Sequence, residues 1–303
     1  MKRWLNNPVL TKEIKLRFRS VKSYIGMSAY LTVLGLLVLG YMAAYMSFEV
    51  NHAFQPTQSR DIFMMLCLFQ LALLIFVTPG LTAGVISSER ERQTLPILLT
   101  TDQSSATIII SKMIASLAFL LLFVILSLPL YAIVFLYGGI SPSLVFMAFC
   151  LFVFTMIVIA SIGVWASTIF RKTNVSIVTT YGIAFFITGG FAIITLMLTM
   201  FGDTYTVDGS NYPWPLLLAS INIPIMLFFM FDPSALQALQ EFAGWTISPW
   251  WFFVAFYVSL ITLLLTIAIR KLRPRVKRKR TLAIEEPSPI ITHIITNLAR
   301  TNE

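Results

Sequence analysis

The side chains that usually carry out chemistry are scarce in this 303-residue sequence and too far apart to act together. His52 and His293 are the only histidines, so neither HExxH nor any other histidine cluster with zinc-ligand spacing can form. Asp203 and Asp208 offer two carboxylates in one polar stretch, and a solvated loop accounts for both without a metal or a reaction. No Gly-Lys pair occurs, so the glycine-rich loop that cradles nucleotide phosphates is missing. Cys67 and Cys150 fall in apolar stretches, where a thiol behaves as a small hydrophobe, and they imply neither a disulfide framework nor a redox compartment. What remains is a dense group of charges, SSERERQTLPILLTT at residues 87–101. Charged at its start and apolar further on, it suits docking in a groove on a soluble partner, and an ordinary polar loop obeying the positive-inside rule accounts for its charges equally well.

The elements that must hold this group are set by hydropathy. Of the residues, 57% are hydrophobic and only 12% charged, a composition of membrane proteins. Six uncharged runs reach the roughly 20 residues that a crossing helix needs: Tyr24–Phe48, Ile62–Val85, Met113–Tyr137, Leu144–Ile169, Val175–Phe201 and Trp250–Ile269. Backbone groups in hydrocarbon must be paired internally, and barrel strands would alternate over about ten residues, so these runs predict an all-α polytopic membrane protein. The apolar run from Tyr24 is too long for a signal-peptide core and no small-x-small cleavage site follows, so it is expected to stay as the first helix.

Lys and Arg accumulate on the cytoplasmic side of membrane proteins. With the N-terminus placed in the cytoplasm, seven of the 22 basic residues precede the first span, three lie at residues 86–112, two at Arg171–Lys172 and nine from Arg270 onward. Only Arg60 is left outside. The segment 202–249 has no Lys or Arg and carries Asp203, Asp208, Asp232 and Glu241. Within it Leu216–Phe231 is apolar but interrupted by Pro224, which predicts a re-entrant or interfacial hairpin on the outer face and not a seventh span. Three regions follow: a cytoplasmic leader over 1–22, a transmembrane domain over 23–270 and a basic cytoplasmic tail over 271–303. A net charge of +9 is shared with nucleic-acid-binding chains, but KLRPRVKRKR at 271–280 directly follows a membrane helix and reads as an anchor for anionic lipid.

The leader itself is patterned. Asn7 and Pro8 mark a helix start, after which Leu10, Ile14, Phe18 and Val21 share one face and Lys12, Lys15, Arg19 and Lys22 the other, as in a helix lying on the membrane surface. In the charged segment, Ser88 followed by Glu91 is a capping-box pattern that predicts a short new helix with Leu95, Leu98 and Leu99 on its apolar side. Within the spans, Pro79 and Pro129 can kink helices, Gly80-xxx-Gly84 permits close approach of a neighbour, and Gly189–Gly190 can loosen the fifth span. Gln70, Thr78 and Asn174 are the polar groups available to a translocation path.

The leader NPVLTKEI and RFRS, the second span running into ISSERERQTLPILLTT, and the third entered through IIISK resemble the permease subunits of ABC (ATP-binding cassette) exporters, the ABC type-2 permease family, over residues 6 to 270. The resemblance implies that the leader is a connecting helix and that the charged segment is the coupling helix that contacts the ATPase. Glu89, Arg90, Glu91, Arg92, Thr94 and Leu95 would then form the contact, with Leu98 and Leu99 beneath them. Gln93 stands where many members carry Gly, and Pro96 lies inside the segment, which bears on the helix's length more than on its role. The family also implies six spans, an outer hairpin before the last, and a dimer of identical or different permeases with two ATPase subunits that hold ATP and magnesium. This chain is then expected to be no enzyme, to bind no cofactor or nucleic acid, to contact lipid, and to sit in a bacterial cytoplasmic membrane with both termini inside. An ion-independent channel or secondary transporter, and an assembly subunit without a substrate, share the same composition. The charge-free spans speak against proton coupling.

Overall fold

Several of the described helices start where a hydroxyl, carboxylate or amide side chain caps them ahead of a proline. The structure, a computed structural model, describes residues 15, 18–48, 56–96, 104–136, 140–205, 213–244 and 247–272, and among them every regular element is a helix. In chain order these are α1 (Val21–Phe48), α2 (Pro56–Thr82), α3 (Ser87–Glu91), α4 (Ser105–Leu136), α5 (Pro142–Ile169), α6 (Thr173–Phe185), α7 (Phe191–Tyr205), α8 (Trp214–Ile221), α9 (Ile223–Phe231), α10 (Pro233–Ala243) and α11 (Pro249–Leu272). A π-helical turn at Phe186–Gly190 joins α6 to α7. The tail 273–303 lies outside the described residues.

Among the described residues, six helices are long and apolar enough to cross a membrane: α1, α2 with its extension to Glu91, α4, α5, the α6–π–α7 run and α11. The expected spans are recovered, with one change at the third. α4 begins at Ser105, so Lys112 lies inside a helix that sequence reading started only after it.

Local chemistry sets several helix starts. Ser141 accepts from Leu144 N and precedes Pro142, the favoured pairing of a hydroxyl cap with proline in the first turn. Asp232 caps α10 ahead of Pro233 by accepting from Ser234 N at 3.1 Å and Ala235 N at 3.2 Å. The Ser234 hydroxyl donates to the same oxygen. These bonds hold the Asp232 carboxyl below the usual aspartate range, the Ser234 hydroxyl contributing most and the charge of Arg60 adding a little. Arg60, the one basic residue assigned to the outer side, therefore shares an end of the bundle with Asp232. α10 stops at Gly244, whose φ of 61° suits glycine.

α8 and α9 form the expected hairpin. They hold 8 and 9 residues and meet at 99° around Asn222. At about 1.5 Å per residue neither reaches half of a hydrocarbon core of about 30 Å, and bent so sharply they do not cross together.

α5 is the organising helix. It packs on α2, α4, α6 and α11, and its residues from Thr155 to Thr168 are buried almost without interruption. Gly163 makes the contact with the end of α2 possible, because a Cβ there would lie 2.3 Å from Thr82 Oγ1 and 3.2 Å from Ala83 N. Gly80 and Gly84 do what their spacing predicts: Cβ atoms there would touch Tyr181 Oη at 3.4 Å and Thr173 Cγ2 at 3.3 Å, so α6 is the helix that comes close.

Candidate functional site

Between α2 and α4 lies one turn of helix. α3 is that turn. Its start lacks the expected capping box: Ser88 sits within the helix, and its hydroxyl donates to Gly84 O instead of capping. The cap comes from another helix. Ser167 Oγ, near the end of α5, accepts from Ile86 N at 2.8 Å and Ser87 N at 2.9 Å, satisfying two donors that a helix start leaves open.

The far end closes by geometry. Thr94 N donates to Glu89 O at 2.9 Å and Gln93 N to Arg90 O at 3.2 Å, the paired pattern that terminates helices through a left-handed residue. That residue is Gln93, with φ 59°, and no other described residue besides glycine has a positive φ. A glycine at this position would adopt the conformation without cost, so the departure Gln93 replaces a backbone requirement and leaves the turn intact.

The charges of α3 are spent mainly on this chain. Glu89 receives Lys112 Nζ at 2.6 Å, and Lys112 is almost wholly buried. Arg90 donates from its guanidinium to Phe170 O at 3.2 Å and Thr168 O at 3.1 Å, capping the negative end of α5. Glu91 takes Thr173 N at 2.8 Å and the Thr173 hydroxyl at 2.7 Å, capping the positive end of α6. Three consecutive charged residues thus fasten one helical turn to α4, α5 and α6. Two further bonds hold α6 against α2: Ser176 donates to Ala83 O at 2.7 Å and Tyr181 to Phe76 O at 2.8 Å.

Arg92, Gln93 and Thr94 are exposed beyond these ties. Leu95, which the family resemblance counts among the contact residues, is instead buried among Ile86, Ile108, Ile109, Val164 and Leu272, so it packs on the bundle and offers no surface to a partner. Leu98 and Leu99 lie outside the described residues. Beside α3, a cleft of about 490 Å³ is lined by Ser23, Gly84, Ser88, Glu89, Arg92 and Lys112, so the start of α1 borders the same site.

Of the leader, Leu10, Lys12 and Ile14 lie outside the described residues. Lys15 and Arg19 are exposed, and the Phe18 ring packs edge-on against Phe119 of α4 with centroids 5.7 Å apart. Val21 leaves the face predicted for it: it opens α1 after a turn at Arg19 and is 72% exposed. Two of the proposed path residues turn inward as well. Gln70 and Thr78 are fully buried inside the bundle, and Thr78 donates to Leu74 O of its own helix; Asn174 is exposed.

Sequence reasoning missed Ser167, Thr173 and Lys112 as parts of the site. Lys112 had a signal, since IIISK and ISSERER are the stretches that flank the charged loop on either side. Among the described residues no group of three or more His, Cys, Asp or Glu side chains is placed to hold a metal ion. Residues 8–273 match the model of a family described as ABC-2 family transporter protein. No curated protein matches the chain.

Proposed function

The chain belongs to the ABC-2 family of transporter proteins and is a multi-pass permease subunit of an ABC transporter, and from that premise we propose that it is driven by a separate ATPase docking on α3. The observation that carries this reading is the fastening of α3 by Glu89, Arg90 and Glu91 to α4, α5 and α6. A push on so short and firmly tied a turn displaces three spans together, which is what a coupling element has to do. The residues left for the partner are Arg92, Gln93 and Thr94, so the contact is narrower than the whole charged stretch. Glu89, Arg90 and Glu91 serve it by positioning.

In this reading the α3 end faces the cytoplasm, with both termini, and α8 to α10 lie on the outer side of a bacterial cytoplasmic membrane. ATP and magnesium are bound by the partner, which hydrolyses the nucleotide, and the permease exports its substrate by alternating access. The buried positions of Gln70 and Thr78 support a path that does not run through this bundle but between it and a second permease, identical or different. The exposed Lys15 and Arg19 suit a leader resting on anionic lipid.

Charge reversal at a docked interface costs several kcal/mol. Arg92→Glu should therefore insert normally yet fail to co-purify with the ATPase, whereas Lys271→Glu at the end of α11 should retain it. Full ATPase recovery with Arg92→Glu, together with its loss in Lys271→Glu, would place the docking surface elsewhere.

A further inference from the structure

At the elbow between α8 and α9, the Asn222 side chain is fully buried and makes three hydrogen bonds in an otherwise apolar surrounding. Its Oδ1 accepts from Ile225 N at 3.0 Å, capping α9. Its Nδ2 reaches across to the fifth span and donates to Ile187 O at 3.2 Å and to Thr188 O. Both carbonyls belong to the π-turn Phe186–Gly190.

The π-turn explains why the Ile187 carbonyl is available. Phe191 N donates to Phe186 O, five residues back. In a regular α-helix that N–H would serve Ile187 O, so the widened turn takes the donor away from Ile187 and Asn222 supplies another. An unpaired carbonyl in a membrane interior has no water to turn to, so the replacement matters for which form of the span is stable. Glycine helps on the other side: a Cβ at Gly190 would lie 2.9 Å from the Phe186 ring.

The geometry points to Asn222 as a latch that holds the fifth span in its π-turned form and ties α7 to the α8–α9 elbow. The competing form is an uninterrupted α-helix, in which Phe191 N returns to Ile187 O and the amide of Asn222 has no work to do. Losing the extra residue of the π-turn rotates α7 by about 100° relative to α6. Asn222 is thus a positioning residue for the half of the span beyond the π-turn, and the elbow and α7 move as one body while it is engaged. Tyr257 of α11 makes a separate tie by donating its hydroxyl to Ile221 O of the elbow, while its ring packs on Phe154 of α5.

Asn222→Ser separates the two roles, since serine caps helices as well as asparagine does but is too short to bridge to the π-turn. Spin labels at Met200 and Trp251, which are 67% and 75% exposed, report the rotation of α7 against α11. The measurement uses the full chain in lipid nanodiscs with Cys150 replaced by serine, and does not depend on an ATPase. The unsubstituted Asn222 should give one distance, and Asn222→Ser a second population displaced by several ångströms. Tyr257→Phe should keep the single distance. An unchanged distribution in Asn222→Ser overturns the latch, as does the same second population in Tyr257→Phe. Failure of Asn222→Ser to insert would also overturn it, by making Asn222 a requirement of folding instead.

Discussion

The carboxylate of Glu91 binds both the backbone N–H of Thr173, at 2.8 Å, and its hydroxyl, at 2.7 Å, across 82 positions of sequence. One side chain thereby joins the end of α3 to the start of α6. Glu91→Ala and Thr173→Val should each lower the thermal midpoint of the detergent-solubilised protein, and the double variant should lose little more than Glu91→Ala alone. Fully additive losses would show that the two residues do not act on each other.

The Glu89–Lys112 pair, 2.6 Å apart, predicts a different pattern because Lys112 is only 4% exposed. Taking away one member of a buried pair costs on the order of 3 kcal/mol, mostly from the charge left facing low dielectric. Glu89→Ala and Lys112→Met should each reduce stability by about that amount. Replacing both with methionine should recover most of it, as read from thermal midpoints of the three variants. A double variant as unstable as the sum of the singles would remove the pair from the account.

Gly163 leaves no room for a side chain, with Thr82 Oγ1 at 2.3 Å and Ala83 N at 3.2 Å from the position of a Cβ. Gly163→Ala should cost about 1–3 kcal/mol through overpacking. Thr82→Ala in the same chain should restore part of the loss by removing the hydroxyl. Gly26→Ala is the control, since nothing lies within 4 Å of its Cβ position and alanine favours the helix.

Asp232 supplies a pH dependence. Its carboxyl lies below the usual aspartate range, chiefly through the Ser234 hydroxyl. A carboxyl lowered by folding stabilises the folded state at every pH above its unfolded value and loses that contribution as pH falls through the folded value. The gap in thermal midpoint between the natural chain and Asp232→Ala should therefore be whole from neutral pH down to roughly 3.9, the ordinary aspartate value, and close only below it. A gap that closed between pH 7 and pH 5 would assign the titration to another group.

How much of this was legible varies with the range of the interaction. The six spans could be read off because bilayer crossing depends on the summed hydropathy of some 20 consecutive residues, a local property. The elbow was legible in Pro224, the close approach of some neighbour to α2 in Gly80 and Gly84, and an irregularity of the fifth span in Gly189–Gly190, where small or ring-closed residues alter the backbone where they stand; that the neighbour is α6 and the irregularity a π-turn was not. The segment Ser87–Glu91 was legible as charged and short, and its opposite charges suggested a surface for another molecule. Its capping box failed because Ser88 has a nearer acceptor in Gly84 O and Glu91 a better pair of donors in Thr173.

The amino-acid sequence by itself determined where the chain can enter and leave an apolar phase, and how long each helix can run, since both follow from side-chain transfer energies and backbone sterics along consecutive residues. Only the tertiary structure decided which partner each polar group found. Glu89, Arg90 and Glu91 are neighbours in sequence, yet they bind Lys112, the carbonyls of Thr168 and Phe170, and Thr173, on three different helices. Asn222 likewise caps its own helix locally and reaches Ile187 and Thr188 only because the elbow packs against the fifth span. A buried polar group must be paired, but when the pairing lies 23 to 82 residues away, packing and not spacing chooses the partner.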